Sequence, residues 1–140
     1  MRKTLVAAVA AGLIVGSAGS ALAAWQYSGN VYATAAGHSA GSHAAIQVDT
    51  SAGCQYETEL WATAGGSWYW GVEYNLYRAT DNALVKDGPM YYSGPYLDAN
   101  IGSSADPSGY TYYYSLGKFA IYNGNGYNYW WTNRSPNGGC

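Results

Sequence analysis

The sequence predicts an all-β protein: a single antiparallel β-sandwich domain of about eight short strands, closed by one disulfide. Three observations predict it. From Trp25 onward no stretch repeats apolar residues at helical spacing, while several alternate them at period two. Turn-forming clusters of Gly, Asn, Asp and Pro break the chain roughly every ten residues. Finally, 16% of residues are aromatic and only 10% charged. Disordered chains are poor in aromatics, whereas Tyr and Trp favour strands.

The elements follow in order. Residues 1–23 read as a secretory signal peptide: Arg2 and Lys3, an apolar run from Leu5 to Val15 too short to anchor in a bilayer, then Ala21-Leu22-Ala23 as cleavage site. Residues 24–140 are then a single secreted domain with no transmembrane anchor. Trp25 to Thr34 is a first strand, with Gly29-Asn30 as a bulge or turn inside it. Ala35 to Ser42 is a small-residue loop holding His38. Ala44 to Thr50 is a second strand, followed by a turn at Ser51 to Gly53. Gln55 to Ala64 and Ser67 to Ala79 form a hairpin about Gly65-Gly66. Counted out from that turn, Thr58 faces Glu73.

Asp81-Asn82 turns the chain into Ala83 to Lys86, which Asp87-Gly88-Pro89 ends. Met90 to Ser93 is short and stops at Gly94-Pro95. Leu97 to Gly109 is the one long connection, leaving through Asp106-Pro107-Ser108-Gly109. Tyr110 to Tyr122 is a strand with a bulge expected at Gly117. Asn123-Gly124-Asn125-Gly126 is a hairpin loop into Tyr127 to Thr132, and Asn133 to Cys140 is a tail.

Charge excludes one class of partner. Without the signal, the cations are Arg78, Lys86, Lys118 and Arg134, against all eight acids of the chain. Such a domain lacks the clustered Lys and Arg that grip phosphate backbones, so nucleic acid is not expected. Cys54 and Cys140 are an even pair in an exported chain and are expected to bond to each other.

No constellation points to catalysis, a metal or another cofactor. Glu57 and Glu59 share a strand face, but in the predicted register Glu73 does not join them as a glycosidase pair would require. His38 and His43 sit close in sequence without a third metal ligand nearby. No G-x-S-x-G, phosphate loop or Cys-x-x-Cys occurs. The aromatics carry the signal. Tyr91-Tyr92, Tyr112-Tyr113-Tyr114 and Trp130-Trp131 are adjacent on strands and so point to opposite faces. In a two-layer domain some of them face solvent. Tyr113, Tyr127, Tyr129, Trp130 and Trp131 are the expected binding residues, suited to neutral, polar, flat partners.

The start of the exported region has a further feature. Trp25-Gln26-Tyr27, Gly29, Val31-Tyr32, His38 and His43-Ala44 resemble the opening of lactococcin 972-type bacteriocins. That resemblance implies a small exported β-sandwich acting on the envelope of competing bacteria. The expected function is therefore a secreted, non-enzymatic recognition protein in interbacterial antagonism, acting alone or within a larger secreted toxin assembly. Its partner would be an envelope component or another secreted protein. Trp25, Tyr27, Val31 and Tyr32 would dock by strand addition to a partner's sheet. The alternatives are a carbohydrate-binding module and an inhibitor of a secreted hydrolase.

Overall fold

A computed structural model describes residues 24–49, 53–93, 97–101 and 111–140. The signal-peptide segment, the turn residues 51–52, Gly94-Pro95 and the Asp106 to Gly109 turn lie outside these. The described chain is all-β and antiparallel, in two sheets. The first contains β1 (Trp25–Tyr27), β2 (Val31–Ala35), β3 (His38–Asp49), β4 (Gly53–Ala64) and β8 (Leu97–Ile101). The second contains β5 (Trp70–Arg78), β6 (Leu84–Asp87), β7 (Tyr91–Ser93), β9 (Tyr112–Tyr122), β10 (Tyr127–Trp131) and β11 (Gly138–Gly139).

β1 and β2 are one edge strand interrupted at Ser28 to Asn30, and both pair with β3. The expected irregularity at Gly29-Asn30 is thus present. The expected loop from Ala35 to Ser42 is instead a tight hairpin. Ala36 and Gly37 both take positive φ, 50° and 79°, which reverses the chain in two residues and lets β3 begin at His38.

The largest departure is at Gly65-Gly66. β4 and β5 do not pair: β4 lies between β3 and β8, and β5 belongs to the other sheet. The two glycines, at φ 89° and 66°, turn a corner between sheets rather than a hairpin. Glu73 indeed does not share a face with Glu57 and Glu59, but because it is on the other sheet. Part of the expected long connection, Leu97 to Ile101, is strand β8 on the edge of β4. The hairpins at Asp81-Asn82 and Asn123 to Gly126 are as read. Asp81 accepts from the Ala83 amide, and Asn123 Oδ1 accepts from the amides of Asn125 and Gly126.

Alternate residues of β3, β4, β5 and β9 fill the space between the sheets. At one end Ala35, Ala40, Leu60, Trp70, Phe119 and Ile121 pack together, and at the other Ile46, Tyr56, Tyr74, Leu76 and Tyr113. Between these ends the sheets come closest. Gly117 keeps regular register with Tyr74, so no bulge forms there against β5. A Cβ on it would sit 1.9 Å from Thr58 Oγ1 and 2.3 Å from the Glu73 carbonyl oxygen. Ser115 Oγ crosses the gap to donate to the Glu57 carbonyl at 3.1 Å.

Cys54 and Cys140 are bonded, with Cα atoms 5.6 Å apart. The bond joins β4 of the first sheet to a tail whose β11 pairs with β9 of the second. It therefore staples one sheet to the other as well as fixing the C-terminal residue.

Candidate functional site

The second sheet's outer face brings aromatic side chains together through strand register. Tyr129 on β10 pairs with Ala120 on β9, Ala120 with Gly71 on β5, and Gly71 with Tyr92 on β7. One row of the sheet thus has two large tyrosines at its ends and two small residues between. The tyrosines lean over the small pair until their hydroxyls meet at 2.9 Å. Gly71 has little room beneath them: a Cβ there would lie 3.0 Å from the Tyr92 ring and 3.1 Å from Met90 Sδ.

The next row of the same face runs Trp131, Lys118, Glu73. Lys118 Nζ donates to Glu73 Oε1 at 3.1 Å and lies 4.4 Å from the centre of the Trp131 ring. Asn75 Nδ2 donates to the same carboxylate at 2.9 Å. The two rows enclose a cleft of about 430 Å³ lined by Glu73, Met90, Tyr92, Lys118, Tyr129, Trp130 and Trp131. Tyr92 and Tyr129 are half exposed, and so is Trp131. The hydrogen bond to Tyr129, followed by partial burial, pushes the Tyr92 phenol up to about 12. The Tyr92 hydroxyl therefore stays protonated at neutral pH, able to donate and accept.

The expected binding residues divide by strand parity. Tyr127, Tyr129 and Trp131 are on the outer face, with Tyr127 stacked obliquely 4.6 Å from Tyr92. Trp130 points the other way and stacks on core Phe119 at 5.6 Å, reaching the cleft only at its margin. Tyr113 is a correction. It is fully buried between the sheets beside Ile46, Tyr56 and Tyr74, and cannot meet a ligand. Neighbouring Tyr114 is on the outer face but is covered by Arg134, 3.6 Å from its ring, and by Tyr77 at 5.2 Å.

Sequence reasoning missed Tyr92, Gly71, Glu73 and Lys118 as members of this site. The opposite charges of Glu73 and Lys118 were a usable signal, but only once β5 and β9 are known to be neighbours.

The residues expected to dock a partner strand lie on the opposite sheet. β1 and β2 are its edge strand. Trp25, Tyr27 and Tyr32 pair with Gln47, Ala45 and Gly41 on the outer face, while Val31 packs inward. The two histidines do not act together. His38 stacks on Trp68 at 3.7 Å by the Gly65 corner, whereas His43 lies on the outer face against Glu59. Among the described residues, no group of three or more His, Cys, Asp or Glu could hold a metal ion. No described helix is long and apolar enough to cross a membrane. No protein-family model matches the chain, and neither a curated protein nor a solved structure matches it.

Proposed function

We propose that the protein is a non-catalytic recognition domain that binds a neutral saccharide in the cleft on the outer face of the second sheet. The observation that carries this reading is the combination of aromatic walls with an internally neutralised floor. A pyranose ring has an apolar C–H face that stacks on an aromatic ring and a rim of hydroxyls that need both donors and acceptors. Trp131, Tyr92 and Tyr129 supply the stacking area. Glu73 supplies acceptors, Lys118 donors, and the two phenols either. Because Glu73 and Lys118 cancel each other, the cleft favours neither an anion nor a cation. Its volume, about 430 Å³, is in the range of small-ligand sites.

The setting we infer is outside the cell. The signal-like N-terminus and the disulfide support export, since such bonds persist in oxidising compartments. The likeness to lactococcin 972-type bacteriocins makes the polysaccharide of a bacterial envelope the first polymer to test, within interbacterial antagonism.

The test is depletion from solution by insoluble peptidoglycan, chitin and cellulose. The protein is expected to be retained by at least one of them, and Trp131→Ala to weaken retention about tenfold or more, the loss of one well-packed aromatic contact. Retention by none, or retention unchanged in Trp131→Ala, would refute the reading.

A further inference from the structure

Charge is segregated between the two sheets. The first sheet's strands hold Asp49, Glu57, Glu59 and Asp98 and neither Lys nor Arg. All four cations of residues 24–140 belong to the second sheet, its turns or the tail after it: Arg78, Lys86, Lys118 and Arg134. Three of these are engaged there. Lys118 pairs with Glu73, Arg78 with Asp81, and Arg134 lies on Tyr114. Glu57 is buried, whereas Glu59 stands partly exposed on the outer face of the first sheet, and that face is also aromatic.

On that face Trp61 lies flat against the backbone of β3. A Cβ on Gly41 would be 2.5–2.7 Å from three atoms of the indole, so only glycine lets the ring settle there. The indole keeps part of its surface in solvent, with exposed Tyr32 edge-on at 6.4 Å. Two residues along β4, on the same face, stands the Glu59 carboxylate. His43 Nε2 meets Glu59 Oε2 at 2.8 Å, and His43 Nδ1 meets Asn30 Oδ1 at 3.1 Å. Asn30 Nδ2 in turn donates to Tyr32 Oη at 3.1 Å. The imidazole is further braced between Tyr27 at 4.8 Å and Trp61 at 5.1 Å. The carboxylate is thus held in place next to a flat indole.

We propose that this face binds an arginine side chain of a partner polypeptide. A guanidinium is planar, always charged and weakly hydrated. It stacks on an aromatic face while its edge donates paired hydrogen bonds to a carboxylate. Trp61 and Glu59 offer these two contacts side by side. A lysine ammonium, a point charge without a flat face, uses the same site less well. The site shares no residue with the saccharide cleft and stands or falls independently of it.

The test is binding of a synthetic oligoarginine, compared with an oligolysine of equal length, to the purified protein. Oligoarginine is expected to bind several-fold more tightly, with affinity falling as salt rises. Glu59→Gln, which retains a hydrogen-bonding partner for His43, and Trp61→Leu should each weaken it about tenfold. Trp131→Ala, on the opposite face, should leave it unchanged. Thermal unfolding of each variant separates loss of the site from loss of the fold. Equal affinity for the two peptides, or full affinity in both folded first-sheet variants, would overturn the proposal.

Discussion

Gly117 is the residue on which the spacing of the two sheets depends. Its missing side chain allows Thr58 on one sheet to approach the β9 backbone on the other. Alanine there would place a Cβ 1.9 Å from Thr58 Oγ1 and 2.3 Å from a backbone oxygen that no rotamer change can move. Gly117→Ala is therefore expected to destabilise by about 1–3 kcal/mol, the usual cost of overpacking a filled interior. The measurement is the urea midpoint, which should fall with little change in slope. A variant as stable as its parent would show that the sheets separate freely at this point. Gly117 was legible in the sequence as a special position, but its reason was not. A glycine inside a strand signals either a bulge or a close approach, and the approaching partner, Thr58, is distant in sequence. Tyr113 was misread for a related reason. Period-two alternation says that Tyr112, Tyr113 and Tyr114 alternate faces, but not which of them faces inward.

At the scale of elements, what local chemistry determines was legible and what distant pairing determines was not. The Asp81-Asn82 and Asn123 to Gly126 turns contain the side chains that satisfy their own amides, so those hairpins can be read in a short window. Gly65-Gly66 supplies only conformational freedom, which serves a corner between sheets as well as a hairpin. The same division holds for the cleft. Tyr129 and Trp131 could be named from β10 alone, though not told apart from inward Trp130, whereas the Glu73–Lys118 pair exists only through the β5–β9 register. The tail is the element most dependent on a covalent bond. β11 is two residues long, and the Cys140 amide adds one bond to the Thr111 carbonyl at 3.0 Å. The Cys54–Cys140 link spans a sequence separation of 86, so by loop entropy Cys140→Ser should cost about 4–5 kcal/mol. Denaturant unfolding measures that loss. Faster amide exchange at the tail and the start of β9 should accompany it, because the bond's removal also frees the terminus. Unchanged stability would mean that the tail holds its place by packing alone.

For the whole molecule, the sandwich separates two surfaces of different character. The second sheet presents aromatic rings over a neutralised ion pair. The first presents aromatic rings beside a carboxylate on a sheet without cations. The two have no residue in common, and a packed interior about 10 Å thick lies between them. Sites so arranged are expected to act additively, since neither shares a side chain or hydrogen bond with the other. If both proposals hold, the domain is a bridge between a polysaccharide and an arginine-bearing protein. Polysaccharide that retains the protein should then also retain fluorescent oligoarginine, and only when the protein is present. Trp131→Ala should release protein and peptide together. Trp61→Leu should leave the protein on the polymer and release the peptide alone. Affinity for either ligand should not change when the other is saturating. Competition between the two ligands, or peptide retention that survives Trp61→Leu, would place both on one surface and exclude the bridge.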